Sequence, residues 1–145
     1  MMLFTTLLSL FVTSTLCAPT LGPQELIVID PEITSPKSGD IWKAGTTQLV
    51  TWKTDSIPPG SANTTGLLLL GHPSTIHQDG KDYPSENLDI KHPLASGFYL
   101  TDGNVTVVVP NWIRPRTNYM VVLFGDSGNT SPLFTITHGS QTHTT

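Results

Sequence analysis

Residues 35–52 read SPKSGDIWKAGTTQLVTW, a turn region with proline and glycine that leads into a segment with the alternation of a β-strand. Successive side chains of a strand point to opposite faces, so Val50 and Trp52 share one face and Leu49 lies on the other. We expect the face with Trp52 to be the core face, with the indole filling the space between two sheets. Trp42, between the turn and the strand, is expected to cover one end of this core.

The remainder of the chain consists of short β-rich segments separated by turn signals. After the first residues no segment has a sustained apolar period of about 3.6 residues, and 12 glycines and 12 prolines interrupt the chain. This pattern is typical of a β-sandwich or a small barrel. The predicted strands lie near residues 25–33, 47–54, 66–71, 87–92, 96–100, 104–109, 117–125 and 132–137.

The segment IRPRTNY, residues 113–119, favours one kind of sandwich. Ile113, Pro115 and Tyr119 are spaced as in the E–F corner of fibronectin-type and immunoglobulin-like domains. In that corner an aliphatic residue caps the core, a proline stiffens the turn, and a tyrosine hydroxyl bonds to upstream backbone. We therefore predict an all-β, immunoglobulin/fibronectin-III-like antiparallel β-sandwich of about seven to eight strands, with Ile113 packed inward.

The N-terminus has the composition of a secretory signal peptide. Residues 3–16 are apolar apart from scattered Thr and Ser, and they contain no acidic residue. We predict a signal peptide at 1–18, the sandwich domain at 19–137 and a short polar, Ser/Thr-containing tail at 138–145. The single cysteine, Cys17, would leave with the signal peptide, so the core must hold the domain together. The predicted location is secreted, either extracellular or in a cell wall.

The net charge and the glycosylation motifs limit the classes of binding partner and the cellular location that we expect. The formal net charge is −4, 12 % of residues are charged, and no basic run occurs, so nucleic acid and anionic membranes are poor partners. No transmembrane segment is predicted in the mature chain. Sequons begin at Asn63, Asn104 and Asn129, and with the leader they indicate a glycoprotein of the eukaryotic secretory pathway. The oligomeric state stays open.

The sequence shows only weak residue patterns for a catalytic or metal-binding site. A glycosidase needs two carboxylates across a cleft, whereas the acidic residues concentrate in DGKDYPSENLD, residues 79–89. We interpret this stretch as a solvated surface loop, with calcium binding as a minor alternative. The five histidines form no close metal-binding pair, and no Gly-x-Ser-x-Gly nucleophile motif occurs. We therefore predict no catalytic residue, no metal and no cofactor, and a protein that is not an enzyme.

Glycan recognition is harder to exclude. Sugar-binding sandwiches use exposed aromatic side chains flanked by amide and carboxylate groups. The aromatic residues off the core pattern are Tyr83, Tyr99 and Trp112, and these are our candidates for glycan contact. Tyr99 has the alternative of an ordinary strand residue, and Trp112 that of a lid over the sandwich end. Arg114 and Arg116 are interpreted as solvated charges of the corner.

With these elements placed, residues 30–137 resemble the N-terminal domain of the fungal cell-wall synthesis (killer-toxin-resistance) family. Domains of that family open with a Ser-Pro-x-x-Gly turn, followed by a Trp, a Gly and a Val-x-Trp strand. The matching residues are Ser35, Pro36, Gly39, Trp42, Gly45, Val50 and Trp52, and the segments LASGFYLTDGNVTVVVP and SPLFTI are similar to later strands. The resemblance implies an immunoglobulin-like sandwich, secreted and associated with wall β-glucan, in a family linked to β-1,6-glucan assembly.

The leading hypothesis is a secreted, non-catalytic fungal cell-wall protein that contacts wall β-glucan or wall glycoproteins and contributes to wall organisation. Two alternatives stay open. A glucan-remodelling enzyme or accessory would need a carboxylate pair facing one concave site. A freely secreted effector or interaction protein would meet host molecules instead.

Overall fold

The computed structural model describes residues 28–139, which form ten β-strands and two short 3-10 helices. The predicted signal peptide at 1–18, with Cys17, lies outside the described residues, as does the tail from residue 140 onward. The strands are β1 (Ile33–Ser35), β2 (Ile41–Lys43), β3 (Thr47–Trp52), β4 (Thr65–Gln78), β5 (Lys81–Leu88), β6 (Ala95–Tyr99), β7 (Asn104–Val108), β8 (Arg116–Phe124), β9 (Gly128–Thr130) and β10 (Phe134–Thr137). The helices are Pro59–Ser61 and Leu100–Asp102.

The strands form two sheets that pack face to face. The smaller sheet has the order β1-β3-β7 and is antiparallel. The larger sheet has the order β2-β10-β8-β4-β5, with β6 paired to the first part of β4 and β9 paired to the end of β8. Its pairs are antiparallel except β2–β10, which is parallel.

This arrangement confirms the predicted all-β sandwich and adds detail to it. The N-terminal strand is divided at Pro36, so that β1 joins the smaller sheet and β2 joins the larger one. Proline has no N–H to donate to a ladder, which suits a position between two pairings. With this division and the short β9, the described chain has ten strands where seven to eight were predicted, and one pairing is parallel.

One hydrophobic core fills the space between the sheets. Trp52 of β3 is buried there, as its alternation predicted. Its indole N–H donates to the Leu100 carbonyl at 2.7 Å, and its ring centroid lies 5.3 Å from that of Phe98 on β6. Trp42 is also buried, with its ring centroid 4.5 Å from that of Phe134. Both tryptophans are therefore packing residues.

The strands β4 and β5 continue as a two-stranded ribbon, residues 72–87, called the arm below. A two-residue turn, Asp79-Gly80, closes the arm, with φ values of +53° and +72°. Two positive φ values define the type I′ turn that is favoured in tight hairpins. Most side chains of the arm are exposed, and Nδ1 of His77 lies 2.6 Å from Oδ1 of Asp82 across the ribbon.

The arm corrects the sequence analysis. The surface loop predicted over 79–89 is wrong, because Lys81–Leu88 forms β5, and the strand predicted near 87–92 already ends at Leu88. Both faces of the arm meet solvent, so its strands lack the apolar alternation that identifies a half-buried strand. The acidic side chains of the arm are exposed, as expected of solvated groups.

Candidate functional site

The connection between β7 and β8 presents Trp112 on the surface. The Tyr119 hydroxyl donates a 2.7 Å hydrogen bond to the Arg114 carbonyl, the bond expected of the corner pattern. Ile113 is half-buried and packs against the core. Trp112 lies in the turn just before Ile113, and its side chain is 64 % exposed. Its ring meets that of His92 edge to face, with centroids 5.7 Å apart.

A hollow of about 500 Å³ lies beside Trp112 and is called the larger hollow below. Four segments line it: the base of the arm, the β5–β6 connection, the β7–β8 connection and the first part of β8. The lining residues are Leu70, Gly71, His72, Asn87, Leu88, Asp89, Ile90, Lys91, Trp112, Ile113, Arg114, Arg116 and Tyr119. The lining combines apolar side chains with a few amide, imidazole and charged groups, which is the usual composition of a binding site.

A smaller hollow of about 350 Å³ shares Trp112 with the larger one. Its other lining residues are Gly45, His92, Pro93, Leu94, Val108, Val109, Pro110 and Asn111. These described residues include no Asp, Glu, Lys or Arg, whereas four such residues line the larger hollow. Trp112 therefore lies between a hollow that has none of these four residue types and a hollow lined by four such residues.

The base of the arm is close-packed at Gly71. A Cβ at this position would clash with Cδ2 of Leu88 and would lie 3.0 Å from the carbonyl oxygen of Asn87. Both contacts are closer than ordinary van der Waals contact, so a side chain here would require the Leu88 side chain to move and the Asn87 backbone to shift slightly. The missing side chain at Gly71 thus helps to place Asn87 and Leu88 beside the larger hollow.

The charged groups of the larger hollow are mostly basic. Lys91, Arg114 and Arg116 line it together with one carboxylate, Asp89, whose two oxygens lie 3.1 and 3.2 Å from Nδ1 of His92. Within residues 28–139 none of the three cations forms an ion pair. The sequence analysis missed the arginines, which it treated as solvated corner charges. No periodic signal in the sequence could identify them, because residues 111–113 form a turn and a bend instead of a strand.

The three aromatic candidates do not come together. Tyr83 is 46 % exposed on the arm, opposite Ile76. Tyr99 is 50 % exposed at the end of β6, opposite Thr65. Neither tyrosine lines either hollow. Of the three candidates, Trp112 is the one that lines these two hollows.

The sequon asparagines differ in accessibility. Asn63 is exposed in the turn before β4. Asn104 is exposed at the start of β7, where its side-chain amide donates to the Asp102 carbonyl at 3.0 Å. Asn129 is half-buried in β9, and its amide donates to the Asp30 carbonyl at 3.1 Å. A glycan is attached to the amide nitrogen, so Asn63 offers the most accessible acceptor of the three.

Other chemistry lies away from the hollows. No group of three or more His, Cys, Asp or Glu within residues 28–139 is arranged to hold a metal ion. In the same part of the chain, no helix is long and apolar enough to cross a membrane.

The pKa of Lys53 is raised by its hydrogen bond to Glu32 and by the charge of that carboxylate. This exposed pair links the end of β3 to the segment before β1.

The chain was compared with protein-family models, with curated proteins and with solved structures. None of them matches it. The hollows beside Trp112 and the sequence features described above are therefore the basis for a functional proposal.

Proposed function

We propose that this chain is a secreted, non-catalytic protein of the fungal cell wall that binds wall polysaccharide through the surface around Trp112. The observation that carries the proposal is an exposed indole, mounted on a hydrogen-bonded corner, between two hollows. An aromatic ring offers a large apolar area and few rotatable bonds, so it can stack on the C–H face of a sugar ring at low entropic cost.

The contacts that hold Trp112 in place favour the binding of a saccharide. Its contact with His92 and the corner bond of Tyr119 restrict its position before a ligand arrives. Preorganisation of this kind lowers the ordering cost of association. Asn87 lines the larger hollow and Asn111 the smaller one, and each side-chain amide can both donate and accept hydrogen bonds with sugar hydroxyls. The surface thus has a stacking ring with an amide on either side.

The acidic groups of this surface support binding rather than hydrolysis. Glycoside hydrolysis uses two carboxyl groups flanking the scissile bond, about 5 to 10 Å apart. Among the described residues that line the hollows there is one carboxylate, Asp89, and its oxygens contact His92. The proposal therefore assigns recognition to this surface and no bond cleavage.

The wall location in the proposal is supported by the sequence. The predicted leader indicates secretion, and the three sequons indicate glycosylation in the secretory pathway. The resemblance of residues 30–137 to the killer-toxin-resistance family supports β-glucan as the polysaccharide, with wall glycoproteins as further contacts. Trp42 and Trp52, which carry much of that resemblance, are buried, so they support the fold and not the binding surface.

A pull-down on polysaccharides tests the proposal. The secreted, glycosylated protein is incubated with insoluble β-1,3-glucan, β-1,6-glucan and chitin, beside Trp112→Ala and the control variant Tyr83→Ala. Tyr83 is a fitting control because it is an exposed aromatic residue outside both hollows. We expect β-glucan to deplete the wild-type and control proteins. Trp112→Ala should lose about tenfold or more in affinity, because truncating a central aromatic contact costs about 1.4 kcal/mol or more.

Circular dichroism of each variant serves as the folding check. Binding that survives Trp112→Ala in a folded protein would place the contact elsewhere on the molecule. Failure of all three polymers to bind the wild-type protein would contradict the proposal.

A further inference from the structure

The larger hollow differs in charge from the chain as a whole. The chain has a net charge of −4 and seven Lys and Arg residues. Three of these seven, Lys91, Arg114 and Arg116, line the larger hollow, and they include both arginines of the chain. Basic groups gathered in a concave surface raise the local concentration of anionic ligands. The hollow is thus a basic site on an acidic protein.

These cations are not used to hold the fold. In the part of the chain that the structure describes, the ion pairs involve other basic groups. The carboxylate of Asp89 accepts the backbone N–H of His92 at 3.2 Å and lies 3.1 Å from its Nδ1. Arg114 supports the corner through its carbonyl, which accepts the Tyr119 hydroxyl, and not through its guanidinium. Both guanidinium groups therefore have donors to offer a ligand.

The grouping of the arginines and the tryptophan in one hollow fits one type of ligand. A guanidinium group binds carboxylate and phosphate through parallel N–H donors in one plane. Trp112, Arg114 and Arg116 line the same hollow, the first two in the turn region that leads into β8 and the third at the start of that strand. A pyranose ring on the indole would thus have its acidic substituent in a hollow that both guanidinium groups line.

We propose that the larger hollow selects an acidic carbohydrate, a saccharide bearing a carboxylate or a phosphate, with its ring on Trp112 and its oxyanion on Arg114 and Arg116. This inference rests on the proposed function, because it uses the same indole as the stacking surface. The smaller hollow, whose described lining has no Asp, Glu, Lys or Arg, takes the adjoining uncharged sugar. The ligand is thus an oligosaccharide with its charge at one end of the site.

Calorimetric titration of the full secreted protein tests this selectivity. The probes are trigalacturonate, a phosphorylated mannotriose and the neutral laminaritriose. We expect an acidic probe to bind about tenfold or more tightly than the neutral one, and this advantage to shrink as salt is added, because ions screen exposed charges. The acidic probe that binds more tightly identifies the oxyanion as a carboxylate or a phosphate.

Two variants with the same change in net charge separate the site from the overall charge. Arg114→Gln/Arg116→Gln removes both guanidinium groups, while Lys37→Gln/Lys81→Gln removes two exposed charges outside the hollows. We expect the arginine variant to lose its preference for the acidic probe and to keep its affinity for the neutral one. The lysine variant should bind all probes as the wild type does.

The outcomes distinguish this inference from the proposed function. Equal affinities for acidic and neutral probes, unchanged in the arginine variant, would overturn the acidic selectivity and support Trp112 as a neutral sugar platform. Acidic binding that needs the arginines but survives Trp112→Ala would support the oxyanion site and contradict the stacking surface. If no probe binds, the acidic inference is overturned, and the polysaccharide pull-down decides the proposed function by itself.

Discussion

One hydrogen bond connects the candidate site to the core. The Tyr119 side chain is buried in the core cluster, and its hydroxyl reaches the Arg114 carbonyl five positions earlier in the chain. Between them, Pro115 restricts the backbone, because its ring fixes φ. The direction of this short segment decides where Trp112 and the arginine side chains lie. A core residue therefore determines the geometry of the candidate site.

Replacing Tyr119 by phenylalanine tests this connection. Tyr119→Phe keeps the ring but leaves the Arg114 carbonyl without its donor, so we expect a loss of about 1 to 3 kcal/mol in the free energy of unfolding. Chemical denaturation followed by circular dichroism gives that value. Tyr83→Phe, on the exposed arm, removes a hydroxyl of the same kind and should change stability by less than about 0.5 kcal/mol. Equal stability of the two variants would show that the corner bond contributes nothing.

At the scale of elements, β4 joins the arm to the sandwich. Residues 67–71 of this strand pair with β8, and residues 71–78 pair with β5. Gly71 takes part in both pairings and also lines the larger hollow. One strand thus brings the base of the arm beside the corner that carries Trp112, and the fit at Gly71 sets the distance between them.

A methyl group at residue 71 is expected to disturb this junction. Gly71→Ala places a Cβ against Leu88 and the Asn87 carbonyl, and overpacking of this kind costs about 1 to 3 kcal/mol. Gly60→Ala is the matched control, because a Cβ there meets no heavy atom within 4 Å. The free energies of unfolding of both variants are compared by urea denaturation.

A second substitution locates the clash. In a Leu88→Ala background the cost of Gly71→Ala should fall, because the nearest atom is removed and contacting residues show coupling in a double-mutant cycle. An unchanged cost in that background would assign the strain to the Asn87 backbone. A cost for Gly71→Ala no larger than that for Gly60→Ala would mean that the close approach does not constrain the arm.

At the scale of the whole molecule, both sheets depend on one core. The core cluster contains residues of β3 and β7 from the smaller sheet and of β4, β8 and β10 from the larger one. Cys17 is the single cysteine of the sequence, so no intrachain disulfide can assist. A domain of this size buries roughly two-thirds of the surface of its unfolded chain, which is enough for one cooperative unit.

Trp52 is the residue through which we expect to see this cooperativity. Trp52→Phe removes the hydrogen bond to Leu100 and part of the ring volume between the sheets, so it should cost about 2 to 4 kcal/mol. Thermal unfolding followed in the far-ultraviolet and near-ultraviolet regions should show one shared, lowered midpoint. Trp112→Phe, an exposed site, should leave the midpoint close to that of the wild type. Separate midpoints for the two signals would contradict a single core.

Parts of the site followed from local sequence, and parts did not. Trp112 was identifiable as an aromatic residue off the core pattern, whereas Arg114 and Arg116 were not, because the turn and bend at residues 111–113 carry no strand alternation. Asn87 and Lys91 could not be assigned to the same surface, because they lie more than twenty positions earlier in the chain. Their place in the larger hollow depends on how β5 pairs with β4 and how β4 pairs with β8. Pairing partners are chosen by the packing of the whole sheet.

The sequence by itself determined the all-β class, the inward face of β3 and the corner at residues 113–119. These features depend on alternation, turn residues and proline geometry, which act over a few neighbouring positions. Only the tertiary structure decided the arm, the division of the first strand between the sheets and the two hollows beside Trp112. Each of these depends on contacts between segments far apart in the chain, and a strand that is solvated on both faces carries no periodic signal of its partner.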